Sequence, residues 1–206
     1  MANRAQLIFD IVSPNAYFIW WPLRDVIRRT GAELDVFPVF LGGMHKLTGN
    51  APPFMRDADV KGKNAYAMLE IERFIARHNL DKYRMPETFP FNSIMLQRLC
   101  LAADEDGRGV QFVEAMLPLI WEQGVDPANA ETIGAALAAA KFDPADLFAR
   151  IQTDELKQRL IANTENAVER GAFGIPTVFT GPKDGPQEMF FGKERLAQIE
   201  EELEKG

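Results

Sequence analysis

The sequence is poor in the residues that carry redox and metal chemistry. Its 206 residues hold one cysteine, Cys100, which excludes an intramolecular disulfide and any dithiol exchange between two thiols of the chain. Only two histidines occur, His45 and His78, far apart and outside any His/Cys grouping with ligand spacing, so no bound metal is expected. No stretch reaches the roughly 18 uncharged apolar residues of a membrane span. The start, Met1-Ala2-Asn3-Arg4, leads into a short strand without the apolar core of a signal peptide. With the lone cysteine, this predicts a cytoplasmic protein in a reducing compartment, with no membrane partner. A Lys/Arg-rich run is also missing and the formal net charge is −7, which argues against nucleic acid as a partner. A small anionic ligand remains admissible, because it needs only local donors.

What is present is apolar. The chain is 47% hydrophobic with 15 Phe, enough for one sizeable core. Ala5 to Val12 reads as a buried strand, and Pro14 to Thr30 as a helix with Pro at its start and Gly31 past its end. Glu33 to Phe40 reads as a second strand, completing a βαβ unit with a parallel pair. Leu41 to Met55, with Gly42-Gly43, Gly49-Asn50 and Pro52-Pro53, reads as a long irregular loop. Helical patterns follow over Ala58–Asn79, Ser93–Asp106, Gly109–Gln123, Asn129–Ala140, Pro144–Gln152 and Asp154–Arg170, with an extended connector at Met85–Asn92. Pro176–Thr180 and Gln187–Phe191 read as an antiparallel pair, followed by a charged helix from Lys193 to Lys205. The predicted fold class is therefore α/β, a thioredoxin-like four-stranded mixed sheet with a large all-helical insertion. Residues 1–42 and 171–206 would form the thioredoxin-like part. Residues 43–170 would form the insertion, with the loop 41–56 on its substrate side.

Four places could carry chemistry. Ser13 ends the first strand at the mouth of a helix, where free N–H groups and the helix dipole favour an anion. It is either an ordinary N-cap or the donor to an external thiolate; in this layout a Cys-x-x-Cys pair would stand at Ser13-Pro14-Asn15-Ala16, and no sulfur is there. Ile175-Pro176 opens a strand directly after a helix. It is either a plain edge proline or the cis bond that faces the helix mouth in thioredoxin-like proteins. At Phe191-Gly192-Lys193-Glu194 a strand turns into a helix, whose N–H groups suit a carboxylate while Glu194 suits an ammonium; first-turn acid capping is the plainer alternative. In the 41–56 loop, Lys46 and Arg56 would suit an anionic substrate and Asn50 a cofactor carboxylate, unless the loop is merely solvated surface. His45 reads as surface, Cys100 as inert core, and Phe91 as either pocket lining or core filling.

In these motifs the chain resembles the 2-hydroxychromene-2-carboxylate isomerases and the related kappa-class glutathione transferases. The resemblance runs through Phe9-Asp10-Ile11-Val12-Ser13-Pro14, Lys46-Leu47-Thr48-Gly49-Asn50-Ala51-Pro52-Pro53, Phe89-Pro90-Phe91-Asn92-Ser93, Phe173-Gly174-Ile175-Pro176-Thr177 and Phe191-Gly192-Lys193-Glu194-Arg195-Leu196. It implies glutathione as cofactor, with Ser13 as the catalytic residue beside its sulfur. Ile175, before Pro176, would pair with its cysteinyl part, and Phe191, Gly192, Lys193 and Glu194 would meet its γ-glutamyl head. Lys46, Asn50, Arg56 and Phe91 would line the side where glutathione and a small anionic aromatic substrate lie. It further implies a homodimer and a thiolate that adds to the substrate and leaves again, so that the net reaction is isomerisation. Two departures stand out. The family commonly has Asp at the position of Glu194. Phe91 stands where relatives can place an aromatic hydroxyl, which points to a different substrate. A transferase forming a stable conjugate and a non-catalytic binding protein are the alternatives.

Overall fold

The sheet grows from the apolar run Arg4–Phe9 (β1), buried in every residue after Arg4. The computed structural model describes residues 3–205. β1 pairs in parallel with Glu33–Pro38 (β2), Phe9 standing opposite Pro38. On its other side it pairs antiparallel with Thr177–Thr180 (β3), Ile8 opposite Thr177. Glu188–Phe191 (β4) closes the edge antiparallel to β3, with Phe191 opposite Thr177, giving the order β2-β1-β3-β4. A parallel pair needs a crossover, and Pro14–Thr30 (α1) provides it. Pro14 fits the first turn, where its missing N–H costs nothing, and Gly31 ends the helix at φ 69° with its N–H on the Ile27 carbonyl.

Between β2 and β3 the chain is helical: Leu41–Thr48 (α2), Pro53–Arg56 (α3), Lys63–His78 (α4), Ile94–Glu105 (α5), Gly109–Trp121 (α6), Ala130–Ala139 (α7), Pro144–Arg150 (α8) and Asp154–Glu169 (α9). α5, α6 and α9 lie against β2, and α1 packs on the last helix, Leu196–Leu203 (α10). The molecule is thus a four-stranded mixed sheet with a thioredoxin-like arrangement and a helical block between its two halves. Among the described residues, no helix is long and apolar enough to cross a membrane, and no group of three His, Cys, Asp or Glu side chains is placed to hold a metal ion.

Several expectations are corrected. The stretch Leu41 to Met55 is not irregular, because α2 and α3 occupy most of it. Gly42 and Gly43 are there for close packing, and Gly49 ends α2 at φ 68°. A Cβ at Gly42 would stand 2.9 Å from the Phe40 ring, and one at Gly43 would stand 3.3 Å from that ring and 3.5 Å from Thr164 of α9. The N-terminus of α2 has no capping side chain of its own; a carboxylate oxygen of Asp10, 31 residues earlier, accepts from the Leu41 N–H at 2.8 Å. The long helix begins at Lys63, not Ala58, after Gly62 at φ 84°. The last helix is split: Lys193–Arg195 is a single 3-10 turn before α10. The connector at 85–92 carries a second cis bond, Phe89–Pro90.

Candidate functional site

The register brings the motifs to one end of the sheet. β1, β2 and β4 end where β3 begins, since Phe9 faces Pro38, Ile8 faces Thr177 and Thr177 faces Phe191. The segments leaving that end are the Ser13 turn, the α2–α3 stretch with Asn50, the Ile175–Pro176 step and the Phe191–Glu194 turn. In open α/β sheets, ligands bind outside the carboxyl ends of the strands.

Ser13 is extended (φ −82°, ψ 119°) and buried as a residue; its backbone carbonyl accepts from the Ala16 N–H, yet its hydroxyl makes no cap bond to α1. The capping role weighed for this serine is therefore not performed. A hydroxyl at a helix mouth with no local partner is free to donate to an incoming anion.

Ile175–Pro176 is cis. Pro176 uses its carbonyl on the Gly192 N–H at 3.0 Å, whereas the Ile175 N–H and C=O take no part in the loop hydrogen bonds of the described residues. A free backbone edge of this kind suits pairing with an extended peptide-like ligand. Asn50 lies beside it: its amide donates to the Phe173 carbonyl at 2.7 Å, and its oxygen accepts from the Ala51 N–H at 2.9 Å and from Arg56 at 3.4 Å. The Phe173 and Phe191 rings sit 4.4 Å apart, and a Cβ at Gly174 would come within 3.0 Å of Phe191, so the bare backbone there lets the two rings close.

Charged residues are more committed than their types suggest. The Arg56 fork spans both carboxylate oxygens of Asp57, at 3.0 and 3.1 Å, and Lys63 joins that carboxylate at 2.9 Å. These bonds hold the Asp57 carboxyl down to about 2. Arg56 thus anchors Asn50 while its own charge is matched. Lys193 is 6% exposed; its ammonium pairs with Glu194 and lies 5.1 Å from the Phe74 ring of α4. Glu194 folds back until one oxygen is 2.9 Å from where a Gly192 Cβ would be, at φ 98°. Lys46 is exposed on α2 with no ion-pair partner among the described residues. Half-buried His45 has its imidazole held below its ordinary value by burial and by the Arg56 charge.

Phe91 packs 6.1 Å from Trp121, in an aromatic wall that also includes Phe89 at 5.9 Å and Tyr83, stacked on the indole at 5.8 Å. Phe54 of α3 meets Phe89 at 6.5 Å. Burial pushes the Tyr83 phenol up to about 12, so it stays a neutral hydroxyl. Cys100 is buried, and burial raises its thiol well above the ordinary value, which leaves it unreactive.

Three residues without an assigned role hold the Ser13 turn. Trp121 donates its indole N–H to the Ile11 carbonyl at 2.9 Å. Gln97, fully buried, donates to the Phe9 and Val39 carbonyls at 2.7 and 2.9 Å and accepts from the Ile11 N–H at 3.1 Å. Asp10, also fully buried, accepts from the Val12 and Leu41 N–H groups and from the Ser93 hydroxyl. The sequence signal for Asp10 and Gln97 is a polar side chain inside an apolar run: Asp10 between Phe9 and Ile11, Gln97 on a helix with Leu96 and Leu99.

Comparison with known proteins agrees with this fold. The DsbA-like thioredoxin domain matches residues 6–204. The 2-hydroxychromene-2-carboxylate isomerase of Sphingobium xenophagum is 27% identical over 205 residues, covering 98% of this chain and 99% of the relative. Glutathione S-transferase kappa 1 of Homo sapiens is 26% identical over 210 residues, covering 95% of this chain and 88% of the relative. A solved 2-hydroxychromene-2-carboxylate isomerase superposes with a TM-score of 0.81 at 20% identity, covering 98% of this chain and 95% of that one.

Proposed function

This chain belongs to the family of DsbA-like thioredoxin domains, and on that premise we propose that it is a glutathione-dependent isomerase of 2-hydroxychromene-2-carboxylate-type substrates. The observation that carries the reading is the Ser13 hydroxyl: it stands at the mouth of a 17-residue helix and makes no cap bond, while the chain's single thiol, Cys100, is buried and held neutral. The names of the relatives support glutathione and support both an isomerase and a transferase chemistry. Glutathione would supply the sulfur nucleophile that adds reversibly to a conjugated carbon. Ser13 and the N–H groups of α1 lower the cost of ionising that sulfur. Ile175 offers its free backbone edge to the cysteinyl part, and the Gly192–Glu194 turn takes the γ-glutamyl head. Asn50, oriented by Arg56, serves the same backbone edge. The wall of Phe54, Phe89 and Phe91 suits a planar aromatic substrate, with Lys46 supplying the unmatched positive charge. A transferase would use the same thiolate but end with glutathione consumed.

Titration with glutathione, followed by thiolate absorbance in the ultraviolet, tests the reading. The bound thiol is expected to ionise well below the pH of free glutathione, and turnover of a chromene carboxylate should leave the glutathione concentration unchanged. An unperturbed thiol sinks the proposal, and stoichiometric loss of glutathione moves it to a transferase.

A second copy of the chain is the proposed partner. Large apolar side chains lie open between α3 and α4, with Met55 62% exposed, Val60 54% and Tyr66 59%. Exposed apolar runs of this kind mark association surfaces. Sedimentation should give twice the 23.2 kDa chain mass; a monomer at micromolar concentration removes the dimer.

A further inference from the structure

Asp10 is a buried carboxylate that the proposed chemistry does not use. One oxygen accepts from the Val12 N–H at 3.1 Å; the other accepts from the Leu41 N–H at 2.8 Å and from the Ser93 hydroxyl at 3.0 Å. Its own carbonyl accepts from the Ser13 N–H at 3.1 Å. Those four contacts belong to the starts of three helices: Ser13 precedes α1, Leu41 opens α2 and Ser93 precedes α5. No cation faces the carboxylate among the described residues, so neutral donors alone hold it.

From this convergence we infer that Asp10 is a positioning residue of the site: it fixes the Ser13 turn against α2 and α5, so that the hydroxyl and the α1 mouth present together to the incoming sulfur. The inference rests on the glutathione reading above. Its physical content is a count of bonds. The ionised carboxylate accepts three donors, while the protonated acid must turn its O–H on the Ser93 hydroxyl, the one partner that can also accept, and so gives up one of the three accepted bonds. Burial raises Asp10 to about 6, so the carboxylate is ionised at neutral pH. As pH falls through that value its bonds to Val12 and Leu41 lose their charge, although the fold as a whole is not destabilised, because a raised carboxyl value means that the folded state favours the protonated form. Other groups on the surrounding elements are few. α5 brings Cys100, held neutral by burial, and, farther along, Asp104, also raised to about 6 by burial; Asp35, Glu105, Arg4 and Arg159 surround Asp104. α2 gives the carboxylate its Leu41 N–H and carries His45, held below its ordinary value by burial and the Arg56 charge, and Lys46 in its last turn; the first turn of α1 carries no acid.

The test uses the full chain with D10N, S93A and, as control, D104N. In the ligand-free wild type, the Val12 and Leu41 amide resonances should titrate together near pH 6, do so in D104N as well, and stay flat in D10N. Glutathione affinity at pH 7.5 should fall about tenfold in D10N, and its fall on acidification should lose the step near 6. S93A removes one of the three donors and should move that step upward, which carries the test if D10N folds poorly. A D10N protein that binds as tightly as wild type, or more tightly, overturns the inference, because a carboxylate that only repels the thiolate would give that result. If wild type does not bind glutathione at all, the reading fails while the amide titration still judges Asp10.

Discussion

Replacing Ser13 with Ala is expected to cut turnover about a hundredfold while leaving stability within roughly 0.5 kcal/mol of wild type. The two halves of that expectation come from one observation. An N-cap serine normally contributes about 1 kcal/mol through its bond to the first turn, and its loss is felt in the melting temperature. Here the hydroxyl makes no such bond. Alanine therefore removes nothing that holds α1, whose start is set by Pro14 and by the Ser13 carbonyl on the Ala16 N–H. What alanine does remove, on the glutathione reading, is the donor proposed for the bound sulfur anion. Single donors to a developing or bound anion in a dry site are worth a factor of 100 to 1,000 by comparison with other enzymes, roughly 3 to 4 kcal/mol. The measurement is a pair: thermal unfolding, and ionisation of bound glutathione against pH. A variant that unfolds several degrees early with an unchanged thiol titration would return Ser13 to the role of a helix cap.

The sheet was legible in the sequence because its signals are local. Pro14 and Gly31 bracket α1, and the apolar runs at Ala5 and Val178 have no helical period. A strand–helix–strand start with a hairpin-and-helix end leaves few ways to pair four strands. That topology alone gathers Ser13, Asn50, Pro176 and Gly192 at one sheet end, so the location of the candidate site could be read before any contact was known. The contacts could not. α2 was hidden because Gly42 and Gly43 read as breakers, while their purpose is to let the helix approach Phe40 and Thr164. The carboxylate that caps it comes from Asp10, outside any window in which a cap would be sought. Arg56 looked like a free anion receptor, yet its nearest acid is the very next residue. Lys193 was expected at the open start of a charged helix, beside the γ-glutamyl head, but its side chain is buried, with the ammonium 5.1 Å from the Phe74 ring of α4. In each case a long-range neighbour, or a side chain's direction, decided what the residue type had left open.

Gln97→Leu should be among the most damaging changes of similar volume in the chain, although it places an apolar side chain in a fully buried position. Leucine fills nearly the same space, so transfer free energy alone predicts a neutral or favourable change. Hydrogen bonding predicts the reverse. The Gln97 amide is the partner of the Ile11 N–H and of the Val39 carbonyl, neither of which reaches water; the Phe9 carbonyl is better served, since the Val39 N–H also donates to it at 3.0 Å. Two orphaned backbone groups at about 1 to 3 kcal/mol each outweigh the apolar gain, for a net loss of roughly 2 to 4 kcal/mol and a melting temperature lower by about 5 to 15 °C. The strands these groups tie are the two whose ends carry Ser13 and α2, so affinity for glutathione should fall as well. Gln97→Glu separates packing from bonding. Its carboxylate would still accept from Ile11 but would face two carbonyl oxygens with no proton to offer, a buried charge without compensation. At pH 8 it should be less stable than the leucine variant. As pH falls and the acid regains a proton to donate, the gap should narrow. If Gln97→Leu melts with wild type, or the two variants keep the same spacing at every pH, the clamp on the Phe9–Ser13 turn lies elsewhere.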